Sequence, residues 1–249
     1  MTAKRIFDLT ICILAGVLWI PVFLVCTLLI FVFDGLPLFY VSERRTFRRK
    51  RARIIKFRAM VRNAAARANR ETVPIGNQRF LNIPIDSPLY TPIGRLLERM
   101  CLTELPQLFQ VVTGSLSLVG NRPLPENVIE TIGLDFPYVE QRFAAKAGMT
   151  GPAQLVGREN LTDEERLTLE IAYCNICLTS YSPVLDFLIL LYTVLIGSKL
   201  HQPFTHAEVL LLMSRYAKDG ITSRSFESSS APHLSIEAQA RAIDLFQGD

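Results

Sequence analysis

The strongest pattern in the chain is an unbroken apolar run. Residues 11–33 are 23 positions without a charge. At about 1.5 Å per residue, a straight helix of that length reaches roughly 35 Å, enough to cross a bilayer. The run is longer than the apolar part of a signal peptide, and no small-residue cleavage site ends it. Pro21 stands near its middle. Proline removes a backbone hydrogen bond and crowds the preceding turn, so a membrane break is expected at Pro21. Lys4 and Arg5 precede the run, and a dense basic block follows it. Positive flanks favour the cytoplasmic side. With both flanks basic, a kinked hairpin that enters and leaves one leaflet fits better than a full span.

Downstream the periodicity changes. After the Asp34-Gly35 turn pair, residues 38–41 read as a short strand, and 53–60 as a second strand running into a helix at 61–70. Pro74, Gly76, Pro84, Pro88 and Pro92 make 72–92 a loop. Helices are expected at 93–100, at 105–112 with Pro106 in the first turn, at 127–134 and at 138–145. Thr162 and Glu165 form a capping-box pattern that starts a helix running to about Cys177. Residues 187–197 are strongly apolar but too short to span. From Ile221 the chain turns polar and serine-rich, as a linker or tail does, with a weak amphipathic pattern from Leu234 to Leu245. The predicted class is α/β, mostly helical. The predicted units are a membrane hairpin at 1–36, a compact cytosolic domain with amphipathic interfacial helices at 37–200, and a polar extension at 201–249.

Charge sharpens this picture. Residues 44–70 hold 12 Lys or Arg and no acid, while the rest of the chain is net acidic. A basic block beside a membrane segment points to anionic lipid headgroups, each base contributing about 1 kcal/mol near the surface. Nucleic acid binding is the other standard reading of such a block, and the adjoining apolar run argues against it. Five cysteines are scattered. Cys174 and Cys177 are one pair with no second pair and no nearby His, too few for a zinc site, so the thiols read as reduced small hydrophobes.

Candidate chemistry gathers in two short stretches. Glu104-Leu105-Pro106-Gln107 is followed closely by Gly120-Asn121-Arg122-Pro123. With Lys4-Arg5-x-x-Asp8 at the start and Lys56-Phe57-Arg58-Ala59-Met60 after the apolar run, these resemble the bacterial sugar transferases in order and spacing. They are the monotopic phosphoglycosyl transferases that load a sugar-1-phosphate onto polyprenyl phosphate. Gly148-Met149-Thr150-Gly151, Gln154, Arg158 and Asp186 extend the resemblance over roughly residues 1–200. It implies a re-entrant membrane helix, a UDP-sugar donor, a polyprenyl phosphate acceptor, Mg²⁺, and a place on the cytoplasmic face of the bacterial inner membrane. Carried over residue by residue, it assigns Lys56, Arg58, Arg122, Gln154, Arg158 and Lys146 to substrate, and Glu104 to catalysis and metal.

The same resemblance marks departures. The family has a nucleophilic Asp before the Glu, and this chain has Thr103. It has Arg where this chain has Glu98, Arg where it has Lys146, Pro where it has Asn121, Trp where it has Ala153, and a Ser-Pro break where it has Ile20-Pro21. A threonine hydroxyl without a base is a weak nucleophile toward phosphorus. Two readings stay open: an active transferase initiating exopolysaccharide or other glycan assembly with Glu104 and Thr103 at its centre, or a catalytically degenerate relative acting as partner or scaffold. Sugar identity and a homo- or hetero-oligomeric state are left open.

Overall fold

A computed structural model of the chain describes residues 2–64, 83–157 and 160–217. The expected helix at 61–70, most of the 72–92 loop, Arg158 and the tail beyond 217 lie wholly or largely outside the described residues.

The apolar run forms two helices and a turn. Helix α1 (Ala3–Leu14) is followed by α2 (Gly16–Leu29), which passes into a π-helical turn (Ile30–Asp34). The stretch Gly16–Asp34 has a mean hydropathy of 2.7, with only 17% of its apolar window buried. It is long and apolar enough to cross a membrane. The position where the break was expected, Pro21, lies within α2, and the interruption is at Ala15. Proline strains the turn before it, and here the discontinuity lies further back, beside Gly16. The Cys12 carbonyl there accepts a hydrogen bond from Trp19 Nε1 at 3.0 Å. The indole thus serves a carbonyl at the break, a task for which the Ile20-Pro21 pair has no hydroxyl.

Both ends of this apolar segment are fastened to the same folded body. At the start, Lys4 Nζ meets Asp186 Oδ2 at 2.7 Å. Tyr173 and Tyr181 also donate to the Asp186 carboxylate, at 2.6 and 3.1 Å. The Arg5 guanidinium caps the Val111 and Val112 carbonyls. Asp8 accepts from Ser117 Oγ at 2.7 Å and from the Leu118 amide at 3.0 Å, so it is a buried anchor rather than a solvated N-cap. At the far end, Asp34 accepts from Thr91 Oγ1 at 2.7 Å, and Cys26 and Ile30 pack against Phe57 and Leu97.

The basic block becomes an antiparallel hairpin, β1 (Phe39–Phe47) and β2 (Lys50–Phe57), with Ser42 opposite Ile54 and Tyr40 opposite Lys56. It is longer than the two short strands expected, because its outer half is built from arginines that hide the period-2 pattern. Arg48, with φ of 49°, makes the turn. Much of the block is used inside the fold. Arg45 pairs with Glu126 and Glu140, and Arg51 lies 3.3 Å from Glu126.

Helices α3 (Pro92–Arg99) and α4 (Gln107–Thr113) lead to β3 (Ser117–Val119). After α5 (Glu126–Asp135) and a 3₁₀ turn (Pro137–Phe143), β4 (Gly148–Thr150) pairs parallel to β3. Then come α6 (Pro152–Val156), α7 (Asp163–Thr179), α8 (Pro183–Gly197) and α9 (His206–Ser214). The Thr162–Glu165 capping box starts α7 as expected. The core gathers Val111, Leu116, Val119, Leu155, Leu169 and Ile189. Val209 and Met213 of α9 are fully buried in it, so the compact body continues past residue 200, where a polar extension was expected. Arg142 and Glu170 form a second buried pair with a 2.5 Å contact.

Lys4 and Asp186 carry a testable consequence. Lys4→Met leaves the buried Asp186 carboxylate without its cation, which is expected to cost about 3 kcal/mol. A clear fall in the thermal midpoint of the detergent-solubilised protein checks this. Partial recovery is expected in the paired Lys4→Met, Asp186→Asn variant, which removes both charges.

Candidate active site

An open cleft of about 320 Å³ lies between the hairpin, the start of α4 and the β3–β4 pair. Ser42 and Arg44 on β1 and Ile54 and Lys56 on β2 reach it from one face of the hairpin, as the period-2 alternation of strands requires. Glu104 and Gln107 enter from the turn into α4, and Arg122 and Pro123 from the loop after β3. Gly148 and Met149 complete the wall.

Among the described residues, Glu104 is the only carboxylate lining the cleft. Its Oε1 accepts from Lys56 Nζ at 2.5 Å and from Arg122 Nη2 at 3.2 Å. Burial pushes the Lys56 ammonium below its ordinary pKa; Glu104 opposes that shift and Arg122 adds to it. Arg44 is likewise pushed down, first by burial and then by the neighbouring charge of Arg122. Among the described residues, three cations therefore line the cleft with one anion, and two of them touch it.

The Arg122 loop is pinned from behind. Asn121 is buried, and its Nδ2 donates to the carbonyls of Arg142 at 2.8 Å and Glu170 at 2.9 Å. A proline there makes neither bond. Close backbone approach holds the floor: a Cβ on Gly148 would lie 2.2 Å from the Gly120 nitrogen. The Gly148-Met149-Thr150-Gly151 stretch thus includes a parallel strand, and Gly148 answers to packing.

The remaining expected residues are spread more widely. Thr103 is 4% exposed. Its Oγ1 donates to Glu98 Oε2 at 2.9 Å, and its carbonyl accepts from the Phe57 amide at 2.9 Å. Thr103 and Glu98 thus meet each other, and Thr103 does not line the cleft. Arg99 pairs with Asp86. Arg58 stands outside the cleft. It donates to the carbonyls of Asp34 at 2.6 Å and Gly35 at 2.9 Å, where a cation suits the negative end of the helix. Lys146 donates to the Gly114 carbonyl at 2.7 Å, just past α4. Gln154 lies in a second hollow, with Arg166 and Glu170 on the far side of Arg122. Asp186 serves the Lys4 anchor. Cys174 is buried and Cys177 partly buried, and desolvation pushes their thiols up to about 12 and about 11. Arg44 is a cleft residue the motifs did not point to, and Gln107 of the Glu104 motif lines the cleft although it was assigned no role. Arg44 was discoverable only by pairing β1 with β2.

Mg²⁺ prefers carboxylate oxygens and is usually held by one or two of them together with substrate phosphates. Among the described residues no group of three or more His, Cys, Asp or Glu converges on a point. Glu104 is already gripped by two cations, and Thr103 turns toward Glu98. This donor set does not fit an Mg²⁺ held by the protein.

The family model described as bacterial sugar transferase matches residues 1–199. The chain belongs to the bacterial sugar transferase family. It is 32% identical over 202 residues to the uncharacterized sugar transferase EpsL of Bacillus subtilis (strain 168), covering 78% of this chain and 86% of the relative. It is 29% identical to the exopolysaccharide production protein ExoY of Sinorhizobium fredii, covering 77% and 84%. Against the undecaprenyl-phosphate galactose phosphotransferase of Salmonella typhimurium it is 31% identical, covering 68% of this chain and 36% of that protein's length. In this family member the cleft keeps a carboxylate between two cations, while the preceding side chain is withdrawn.

The floor of the cleft can be tested directly. Gly148→Ala forces a Cβ against the Gly120 backbone and is expected to destabilise the protein by more than about 2 kcal/mol. Gly133→Ala, whose Cβ would be 3.6 Å from Val139 Cγ1, is expected to be tolerated. Thermal unfolding of the two variants side by side checks both.

Proposed function

We propose that this family member is a membrane-associated sugar-1-phosphate transferase that moves a phosphosugar from a UDP-sugar to polyprenyl phosphate, initiating exopolysaccharide or related glycan assembly. The observation that carries the reading is Glu104 in the cleft between Lys56 and Arg122. Its relatives support the acceptor: one is described as an undecaprenyl-phosphate galactose phosphotransferase.

Glu104 would act as the nucleophile. An oxygen of its carboxylate bonds to the phosphorus that carries the sugar. The bond from that phosphorus to the bridging oxygen breaks, and UMP leaves with the electron pair. An oxygen of polyprenyl phosphate then attacks the same phosphorus, the acyl-phosphate bond breaks, and Glu104 is regenerated. Lys56 and Arg122 would shift from Glu104 to the phosphoryl oxygens, where charge grows in the transition state.

A re-entrant hairpin on the cytoplasmic face of the inner membrane belongs to this proposal. It is supported by the anchoring of both ends of the apolar segment on one body, and by exposed Val17, Leu18, Leu24 and Leu28 between those anchors. Anionic headgroups would meet the exposed tip residues Arg48, Arg49 and Lys50.

One observation favours the second reading, a degenerate relative acting as partner or scaffold. Thr103 occupies the position of the family's nucleophilic Asp and is buried against Glu98. A UMP-release assay in nanodiscs, with polyprenyl phosphate and a panel of UDP-sugars, separates the two. Release by the wild type is expected, with Glu104→Gln lowering it about a hundredfold or more and Thr103→Val changing it less than about threefold. Suppose the wild type releases no UMP and the paired Thr103→Asp, Glu98→Arg variant does. The chain is then a degenerate relative.

A further inference from the structure

The charge pattern of the cleft goes beyond the transferase reading and rests on it for the identity of the nucleotide. Two adjacent arginines have opposite fates. Arg45 points away from the cleft and is neutralised by Glu126 and Glu140. Arg44 lines the cleft with Lys56 and Arg122, and its Nε donates to the neutral Ser42 Oγ at 3.2 Å. Arg44 and Lys56 share one hairpin face, and Arg122 reaches over from a loop fixed by the buried Asn121 amide. Among the described residues, the side chains lining the cleft therefore place three cations against one carboxylate. That carboxylate, Glu104, already touches two of the three through Oε1.

Such a set repels a divalent cation and suits a diphosphate. Like charges held together in a half-buried cleft raise one another's energy, and the depressed proton affinities of Lys56 and Arg44 follow partly from this. An arriving anion relieves that repulsion. Guanidinium groups supply charge-assisted, forked hydrogen bonds to phosphate oxygens, which is the service that Mg²⁺ supplies where carboxylates hold it.

We propose that Arg44, Lys56 and Arg122 form a three-cation site that grips the diphosphate of the nucleotide directly, without a divalent ion held by the protein. Arg44 is a substrate-binding residue in this arrangement, and Glu104 is left to react rather than to ligate metal.

The test is equilibrium binding of UDP to the full chain in nanodiscs of neutral lipid, measured by titration calorimetry in excess EDTA and in Mg²⁺. Inorganic pyrophosphate is the second probe. UDP binding is expected to persist in EDTA within about threefold of its strength in Mg²⁺. Arg44→Gln is expected to weaken it at least about tenfold, and Arg44→Lys less. Arg45→Gln serves as the comparison and is expected to leave the affinity within about twofold. Thermal midpoints of the Arg44 variants close to that of the wild type exclude a folding defect, since Arg44 holds no buried ion pair. UDP binding that appears in Mg²⁺ but is lost in EDTA, or wild-type affinity in Arg44→Gln, overturns the proposal. If pyrophosphate binds without metal through Arg44 while UDP binds neither in EDTA nor in Mg²⁺, the three-cation site stands and the UDP-sugar reading fails. If neither probe binds, both fail.

Discussion

The structure depends on fastening both ends of one apolar segment to a single folded body. Lys4, Arg5 and Asp8 grip α8, the end of α4 and β3 from one side. Asp34 and the packing of Ile30 hold the other side against α3 and β2. Between these anchors the helices expose Leu14, Val17, Leu18 and Leu24, an apolar surface that water disfavours. The anchors also organise the chemistry. Arg5 and Lys146 cap carbonyls at the C-terminal end of α4, and the turn at the other end of that helix presents Glu104. Arg58 ties the last carbonyls of the apolar segment to the strand that carries Lys56. Membrane attachment and cleft geometry thus run through the same few polar contacts.

Beside the cleft, Glu98 and Thr103 pair an anion with a hydroxyl donor. The Glu98 carboxylate gains a donor and the Thr103 hydroxyl gains an acceptor. Among the described residues, the cleft itself holds a single carboxylate and its charge tilts toward the positive. The central carboxylate, Glu104, keeps the two cations that would later face phosphate.

Local signals were readable from the sequence, and long-range ones were not. The capping box at Thr162 and Glu165 is a contact between residues three apart, so its pattern sufficed to place the start of α7. The trio of Lys56, Glu104 and Arg122 was reached through motif order, because the spacing of separate elements carries no geometry of its own. Arg44 escaped because only the register of β1 against β2 reveals that it shares a face with Lys56. Arg58 lies two residues beyond Lys56 on the same side of the alternation, yet the chain leaves the hairpin there, and the residue serves a helix end. The break at Ala15 was hidden because proline announces strain without saying which preceding turn yields. The helix α9 was missed because a short apolar stretch beyond residue 200 says nothing of the core it completes.

Trapping the intermediate tests the role of Glu104 most directly. The purified protein is incubated with a UDP-sugar that supports UMP release, polyprenyl phosphate is withheld, and the acid-quenched chain is analysed by intact and peptide mass spectrometry. A sugar-phosphate adduct on Glu104, released when polyprenyl phosphate is added, is the expected result. An adduct on Thr103, or sustained transfer with no adduct on the protein at any time, would contradict the account.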